Sequence, residues 1–310
     1  MGRGLQVQAM KPELFSIVGA GRLGTALGAA LVRRGWRIAL IVDTDARAAR
    51  EGRRLIGAGR AATAFGPASR PGDVVIVAVP DGAVGRVAAA LAGSGLSWAG
   101  RTVLHTSGIL PARVLEPLRR RGARTASLHP AQAFSRKDNP ASAFKGITWG
   151  VEGEAEAVAT AGSIVRGLGG HVLPLSEKNK PIYHAACALA SNAFVALEWT
   201  ACGLLRTAGI EEKDAFRILL PLVQGTLQNV KNLGLEKALT GPVVRGDAAT
   251  VGKHLEALSG DPAASEVYRV MGRRVLRLAQ RSGLPEAKVK ALRRLLGDER
   301  PLLRAGCRKP

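Results

Sequence analysis

The stretch Phe15–Asp43, FSIVGAGRLGTALGAALVRRGWRIALIVD, decides how this chain folds. An apolar segment, Phe15–Val18, runs into a glycine-rich turn; a helical pattern follows, and a second apolar segment ends beside Asp43. The order strand, glycine turn, helix and strand within about thirty residues is the setting in which a G-x-G-x-x-G pattern is meaningful. The stretch therefore predicts the first part of a dinucleotide-binding α/β unit.

Each glycine of the turn has its own physical task. Gly19 permits a tight turn, Gly21 lets backbone N–H groups approach a pyrophosphate, and Gly24 lets the helix pack closely on the strand. The helix N-terminus adds unpaired N–H groups and the positive end of its dipole. We predict that the turn binds the cofactor through six consecutive residues: Gly19, Ala20, Gly21, Arg22, Leu23 and Gly24.

The end of the second strand bears on the choice between NAD and NADP. Asp43 lies about 20 residues after the last glycine, where a carboxylate accepts hydrogen bonds from ribose hydroxyls. A carboxylate there repels a 2′-phosphate, whereas Arg22, Arg47 and Arg50 are near enough in sequence to bind one. The cofactor is therefore predicted to be NAD(P)H, with NAD slightly favoured and NADP left open.

Strand and helix patterns alternate up to about residue 176. The run Val74–Asp81, VVIVAVPD, begins with the continuous apolar sequence of a strand buried on both faces of a parallel sheet. Ligands bind beyond the carboxyl ends of such strands. We therefore expect Val79, Pro80 and Asp81 beside the cofactor.

Two later strands deliver histidines to the same predicted sheet edge. The strand at 101–105 ends at His105 and opens into Thr106-Ser107-Gly108, and the strand at 125–128 opens into His129. Single loop histidines are usually incidental, but two at equivalent positions near a cofactor turn indicate a site. We predict that His129 binds substrate and that Ser107 orients the reacting group.

From about Ser176 onward the pattern is helical. It predicts a Rossmann domain with a doubly wound sheet over residues 1–176, followed by an all-α domain over 177–310, with the active site in the cleft between them. Residues 1–13 and the last residues of the chain are expected to be irregular.

The first predicted helix of the second domain, about residues 181–208, carries a polar face. Lys180, His184 and Ser191 share this face at helical spacing, with Asn192 beside it. The face could be a hydrogen-bond network at a domain interface or a surface for proton transfer, because reduction of a carbonyl or imine needs a proton donor. We predict catalytic roles for Lys180, His184 and Asn192, and leave open whether Lys180 or His184 donates the proton.

A tight loop, TGPVVRGD at 240–247, presents Arg245 between glycines. A rigidly held arginine is a natural bidentate partner for a carboxylate. Asp247 can hold that arginine or cap the following helix. Both residues are predicted to bind a small anionic substrate, with a structural cap and ion pair as the alternative.

Composition limits the other possible partners. The formal net charge of +21 suggests nucleic acid, but the basic residues are scattered, aromatics are only 4% and no block exceeds Arg119–Arg121. No uninterrupted apolar run reaches 18 residues, and no signal peptide precedes the first strand. Three widely spaced cysteines suit a reducing compartment without a disulfide framework or zinc site. We expect a cytoplasmic protein without a nucleic-acid, membrane or metal partner.

Six motifs carry a family resemblance: VGAGRLGTALGAAL, VAVPD, HTSG, LHPAQAF, KPIYHAACALASN and LTGPVVRGDAATVGKHL. The chain resembles Rossmann-like proteins with a C-terminal helical domain of unknown function, relatives of pyrroline-5-carboxylate reductase, ketopantoate reductase and the β-hydroxyacid dehydrogenases. The resemblance implies a C-terminal domain like that of 6-phosphogluconate dehydrogenase. It also implies that this chain forms a homodimer through that domain. The superfamily's lysine and asparagine pair would correspond to Lys180 and Asn192.

The resemblance and the residues together predict an NAD(P)-dependent oxidoreductase. The expected reaction is reduction of a C=O bond in a small carboxylate, a ketopantoate-like 2-oxo acid. Reduction of a C=N bond, as in pyrroline-5-carboxylate reductase, is one alternative. A non-catalytic NAD(P)-binding regulatory protein is another.

Overall fold

The computed structural model describes residues 14–297, which form two compact units that divide between Asn192 and Ala193. The expected irregular ends, with Cys307, lie outside this range. The division falls after the predicted 176/177 boundary because the helix that begins at Lys180 packs on the sheet. Its lysine forms hydrogen bonds with Ser107, in the loop after β5, and with Ser127, in the middle of β6.

The first unit is built on one eight-stranded sheet. The strands are β1 (Leu14–Val18), β2 (Arg37–Val42), β3 (Arg60–Ala62), β4 (Val74–Val77), β5 (Thr102–His105), β6 (Arg124–Pro130), β7 (Thr148–Gly153) and β8 (His171–Pro174). Their order is β3-β2-β1-β4-β5-β6-β7-β8, and every pair is parallel except β6 with β7. The predicted doubly wound α/β sheet is thereby confirmed.

Helices cover both faces of the sheet because its central strands are apolar on both. The helices of this unit are α1 (Arg22–Arg33), α2 (Ala46–Ile56), α3 (Asp81–Ala92), α4 (Glu116–Arg119), α5 (Ala155–Gly167) and α6 (Lys180–Ala188). In β4, Val74 and Ile76 join one core cluster, whereas Val75 and Val77 join the cluster on the opposite face. The continuous apolar run is therefore the consequence of burial on both sides.

Strand order creates the position for a ligand. The chain passes from β1 outward to β2 and β3, then returns to place β4 on the other side of β1. At such a switch point the loops after the two central strands diverge and leave a crevice at their carboxyl ends. The glycine-rich turn follows β1, and the segment Ala78–Pro80 follows β4.

The helix predicted to run from residue 181 to 208 is continuous but not uniformly α-helical. After α6 comes a π-helical turn, Leu189–Ala193, and then α7 (Phe194–Thr207). A π turn inserts one extra residue per turn and often occurs at functional sites. Ser191 and Asn192 lie in this turn, so the regular spacing that placed them on one face with Lys180 does not extend to them.

The same region is apolar on average, although it contains charged residues and no uninterrupted apolar run of 18 residues. Helical residues Glu177–Thr207 reach a mean hydropathy of 1.3 over an 18-residue window, and none of that window is buried. By length and composition alone, this is one helix that could cross a membrane. Such a test is weak for a single helix, and the expected lack of a membrane partner stays a prediction.

The second unit is helical throughout the residues that the structure describes. Besides α7 it contains α8 (Glu212–Lys237), α9 (Pro242–Arg245), α10 (Ala248–Ala257), α11 (Pro262–Arg281) and α12 (Glu286–Leu296). Its buried cluster joins α9 to α12 through Val243, Val251, Leu276 and Leu292. The structure therefore confirms an all-α region after the sheet.

Candidate active site

The glycine-rich turn has the geometry that its sequence predicts. Gly19 adopts φ +98°, and a Cβ on it would lie 2.4 Å from the Ala78 carbonyl oxygen. A Cβ on Gly24 would lie 2.0 Å from the Gly19 carbonyl oxygen, so α1 can pack closely only with glycine there. Gly21 has no atom within 4 Å of its Cβ position. The backbone at Gly21 is thus open to a ligand at the N-terminus of α1.

Asp43 holds this turn in place. One carboxylate oxygen accepts a hydrogen bond of 2.8 Å from the Ala20 N–H, and the other accepts one of 3.0 Å from the Asp45 N–H. The carboxylate is half-buried at the end of β2, and it lines the crevice. A carboxylate oxygen can accept a further hydrogen bond, so this structural role is compatible with a ribose contact.

The crevice beside the turn has a volume of about 560 Å³. Gly19, Gly21, Asp43, Val79 and Pro80, all predicted, line it. Ala20 is buried and Leu23 packs half-buried against the core, while Arg22 is exposed at the start of α1. A second wall, which the sequence did not indicate, comes from the segments after β2 and β3 and from α3. Its residues are Thr44, Thr63, Ala64, Phe65, Arg86, Val87 and Leu91.

A polar cluster lies at the carboxyl ends of β5 and β6, around the fully buried side chain of Lys180. The ammonium donates to the Ser127 hydroxyl at 2.8 Å and to the Ser107 carbonyl oxygen at 3.3 Å. Burial lowers the pKa of Lys180, and the negative charges of Glu152 and Asp81 partly oppose that shift. Lys180 therefore links α6 to β6 and to the loop that follows β5.

Ser107 lies in the loop that Lys180 contacts, two residues after His105, the last residue of β5. The Ser107 hydroxyl accepts from the Leu110 N–H at 3.0 Å, and the Ser107 N–H donates to His105 Nδ1 at 3.2 Å. His105 Nε2 lies 3.2 Å from the Pro111 carbonyl oxygen, so this nitrogen carries the proton. Burial, with Lys180 next in importance, lowers the pKa of His105 to about 4. Both ring nitrogens of His105 therefore form hydrogen bonds with the backbone of its own loop.

The rings of His129 and His184 contact each other beside Gly108. Their rings lie edge to face, with centroids 5.6 Å apart. A Cβ on the buried Gly108 would lie 2.5 Å from His184 Cδ2 and 2.9 Å from His129 Nε2, so only glycine leaves room for both rings. Burial, followed by the charge of His184, lowers the pKa of His129 to about 4. The structure thus brings together Lys180, His184, His129 and Ser107.

The remaining predicted residues are placed elsewhere. Asn192 is exposed in the π turn. In the second unit, Asp247 caps α10 by accepting from the Thr250 N–H at 3.0 Å, and hydrogen bonds from Thr250 lower its pKa. Arg245 ends α9 with an exposed side chain, and its carbonyl oxygen accepts from Lys288. The cap that sequence offered as an alternative is present, and the roles of Arg245 and Asp247 in substrate binding stay predictions.

Two family models match the sequence. A Rossmann-like domain matches residues 6–130, and a domain of unknown function, DUF2520, matches residues 147–275. This chain joins a Rossmann-like domain to a DUF2520 domain. The DUF2520 match begins just before β7, where the sheet turns antiparallel, so that domain includes β7, α5 and β8 as well as helices. No curated protein matches the sequence.

Solved structures share the fold of this Rossmann-like and DUF2520 chain. A candidate NADP oxidoreductase, BF3122 from Bacteroides fragilis, is 25% identical with a TM-score of 0.70, covering 86% of this chain and 99% of its own. A reductive aminase from Aspergillus terreus, in complex with NADPH and ethyl-5-oxohexanoate, is 18% identical with a TM-score of 0.60, covering 87% and 98%. A pyrroline-5-carboxylate reductase from Coxiella burnetii is 16% identical with a TM-score of 0.57, covering 92% and 98%.

Proposed function

We propose that this protein is an NAD(P)H-dependent reductase. The observation that carries the proposal is the parallel pairing of β4 with β5, in which Val77 lies opposite His105 and the Thr106 N–H donates to the Val77 carbonyl oxygen at 3.1 Å. Val77 leads into Ala78, Val79 and Pro80, which line the crevice, and His105 leads into Ser107, which Lys180 contacts. The cofactor crevice and the polar cluster therefore adjoin on one sheet edge. The names of the structural neighbours, oxidoreductases and reductases, support the same class.

The described residues fit a dinucleotide. The open backbone at Gly21 and the N-terminus of α1 offer N–H groups to a pyrophosphate, Asp43 offers acceptors to a ribose, and Val79 and Pro80 form an apolar wall. When bound, a reduced nicotinamide supplies a hydride. The polar cluster supplies what the cofactor does not: a proton and a fixed substrate orientation.

A small carboxylate with a C=O bond, of the 2-oxo acid kind, is the leading substrate. An imine is the alternative, and the neighbours named as a reductive aminase and a pyrroline-5-carboxylate reductase favour keeping it in the test. Within the cluster, the Lys180 ammonium is buried and already bonded, so its role is to hold the site electrostatically. His129 and His184 are both only half-buried.

The choice of cofactor is a separate part of the proposal. Asp43 and Asp45 place two carboxylates at the end of β2, which disfavours a 2′-phosphate and gives NADH a modest advantage. The reductive aminase was solved with NADPH, and the exposed Arg22 and Arg47 offer that phosphate partners. Titration with both cofactors decides. Tighter binding of NADPH by more than about tenfold would contradict the role given to Asp43.

The decisive experiment couples cofactor oxidation to a substrate panel. Wild-type protein is mixed with NADH or NADPH and with 2-oxo acids, cyclic imines, or ketones plus amines, and absorbance at 340 nm is followed. Gly21→Val is the test variant, because its side chain would enter the ligand space without meeting protein. Gly82→Ala is the matched control, since its Cβ also meets nothing within 4 Å and Gly82 does not line the crevice.

The outcomes separate the candidate functions. Turnover that Gly21→Val abolishes and Gly82→Ala retains supports the reductase. Tight cofactor binding without turnover of any panel member favours the regulatory alternative. Failure of the wild-type protein to bind either cofactor contradicts both.

Homodimer formation through the second unit completes the proposal. Helices α7 and α8 expose large apolar side chains, among them Val195, Trp199, Leu222 and Leu235, and Trp199 is 72% accessible. Exposed apolar surface on this scale marks an interaction site. Light scattering after gel filtration is expected to give twice the chain mass, and Trp199→Glu with Leu222→Glu to give a monomer. A wild-type monomer that sediments with phospholipid vesicles would point to a membrane instead.

We also propose a cytoplasmic location. The described cysteines, Cys187 and Cys202, are both free, which suits a reducing compartment. Cell fractionation with an antibody against the protein tests this. Recovery in the membrane fraction would contradict it.

A further inference from the structure

His129 is fixed at one ring nitrogen and open at the other. Its Nδ1 lies 3.0 Å from the Tyr183 hydroxyl. Within residues 14–297 its Nε2 has no hydrogen bond, yet this atom is absent from the buried polar atoms that lack a partner. Nε2 is therefore not sealed from solvent, although the ring is half-buried. The imidazole has one end attached to the protein and one end available to a ligand.

The Tyr183 ring is held by its surroundings. It lies edge to face with His129, with ring centroids 5.6 Å apart and an interplanar angle of 88°. A Cβ on Gly150 would lie 3.0 Å from Cε1 and Cζ of this tyrosine, so the absence of a side chain at 150 makes space for the phenol. Two glycines thus accommodate the pair, Gly150 beneath Tyr183 and Gly108 beside His129.

The hydrogen bond can run in either direction between two neutral groups, and we assign the Tyr183 hydroxyl as the donor and His129 Nδ1 as the acceptor. Burial raises the pKa of Tyr183 above its usual range, so its hydroxyl keeps its proton at neutral pH. The lowered pKa of His129 keeps the imidazole neutral. A neutral imidazole that accepts at Nδ1 carries its proton on Nε2. The accessible nitrogen of His129 is then a donor.

The other cationic and imidazole groups of the cluster are less suited to this task. Lys180 donates hydrogen bonds to Ser127 and Ser107. Both ring nitrogens of His105 form hydrogen bonds with the backbone. His184 has only the ring contact with His129 and the approach to Gly108 within the described residues. One imidazole, His129, combines an anchored nitrogen with an accessible one.

We infer that Tyr183 and His129 form a two-step proton relay that protonates the oxygen of a carbonyl substrate, with His129 as the catalytic residue and Tyr183 as the positioning residue behind it. The inference rests on the proposed reductase function. Tyr183 was not among the site residues that the sequence indicated.

The relay balances the reaction. A bound reduced nicotinamide would supply a hydride to the carbonyl carbon and be oxidised in doing so, and the C=O π electrons would move onto oxygen. That oxygen takes the proton of His129 Nε2, and His129 Nδ1 takes the proton of the Tyr183 hydroxyl. The phenolate recovers a proton from water, so both residues return to their starting states. The product alcohol has gained one hydride and one proton.

This arrangement favours C=O over C=N substrates. An alkoxide is a strong enough base to draw a proton from a neutral imidazole backed by a phenol, because proton transfer follows the difference in basicity. An imine instead needs a proton before hydride addition, and at neutral pH this pair has no readily released proton to give. The relay therefore favours a carbonyl substrate over an imine substrate for the proposed reductase.

The first arm of the test does not need turnover. Imidazole nitrogen NMR on the full chain should show His129 as the Nε2–H tautomer, titrating near pH 4. Tyr183→Phe keeps the ring between Gly150 and His129 but removes the hydroxyl, so the tautomer should become mixed. A wild-type His129 with its proton on Nδ1, or an unchanged tautomer in Tyr183→Phe, overturns the inference.

The second arm measures turnover of a 2-oxo acid. Tyr183→Phe should lower kcat by about 10- to 100-fold at unchanged cofactor affinity, and His129→Gln by at least as much, since general acid catalysis contributes about 100-fold or more. Combining them should cost little beyond His129→Gln alone, because the two act as one unit. His171→Gln, at an exposed position in the same unit, is the matched control.

The results test the proton relay separately from the reductase function. A wild-type protein without turnover refutes the proposed reductase. An active wild type whose kcat is unchanged in Tyr183→Phe refutes the relay and leaves the reductase intact. Faster turnover of imines than of 2-oxo acids, with Tyr183→Phe unimpaired on the imines, also overturns the relay.

Discussion

Acidification should destabilise the Rossmann unit through His105. In the folded state this buried imidazole has a pKa of about 4, against 6.5 for an ordinary histidine. The unfolded chain therefore binds more protons in this window, so the free energy of unfolding falls as pH drops from 6.5 towards 4. Stability associated with neutral His105 is fully present above pH 6.5 and is lost progressively below it.

The expected size follows from the two pKa values. Linkage between 6.5 and 4 gives a loss of about 2 kcal/mol between pH 7 and pH 5, and a limit of about 3 kcal/mol at lower pH. His129, with a similar shift, adds a comparable but smaller amount because it is more accessible. The wild-type unit should therefore lose a large part of a typical domain's stability before its carboxylates are protonated.

Urea unfolding at pH 7, 6 and 5 measures this loss through tryptophan fluorescence. Trp36, Trp98 and Trp149 are buried in the same unit as His105, so they report on it, and Trp199→Phe removes the exposed tryptophan of the second unit. In that background, His105→Gln should lower stability at pH 7 but flatten the dependence between pH 7 and 5.

The matched control is His171→Gln, at an exposed histidine of the same unit, which should keep the wild-type slope. A slope in His105→Gln equal to that of the parent would refute the assignment of the shift to His105. A parent protein equally stable at pH 7 and pH 5 would refute the reasoning for both histidines.

Three further perturbations test other parts of the structure. Gly24→Ala should cost at least about 1–3 kcal/mol and abolish cofactor binding by calorimetry, because its Cβ would overlap the Gly19 carbonyl; binding at wild-type affinity would contradict the packing. Lys180→Met should lose about 1–3 kcal/mol in urea melts, because Ser127 and Ser107 lose their donor. Since burial lowers the folded pKa of Lys180 below 10.5, wild-type stability should also rise with pH as that lysine deprotonates, a rise that Lys180→Met should lack. Asp247→Ala should destabilise the helical unit by about 1 kcal/mol through loss of the α10 cap, whereas Asp247→Asn should retain most of it; equal losses would argue for a role of the charge.

The sequence by itself determined the elements whose causes are local. Gly19 needs a positive φ and Gly24 needs the absence of a Cβ, and both requirements are visible in a pattern of six residues. Burial of β4 on both faces appears as an uninterrupted apolar run, and the Asp247 cap appears three residues before the N–H it binds. Such signals depend on neighbours in the chain, so composition and spacing suffice.

Tertiary structure decided what depends on distant partners. Strand β3 was missed because three residues without an apolar pattern become a strand only by pairing with β2. The sequence predicts Lys180 as a candidate proton donor, and only the structure shows that its ammonium donates to groups 53 and 73 residues away. Tyr183 had no distinguishing sequence signal, because its partner His129 lies 54 residues earlier and the space for its ring is made by Gly150. Burial and pairing fix which polar groups remain free to react, and both arise only when separate strands and helices pack together.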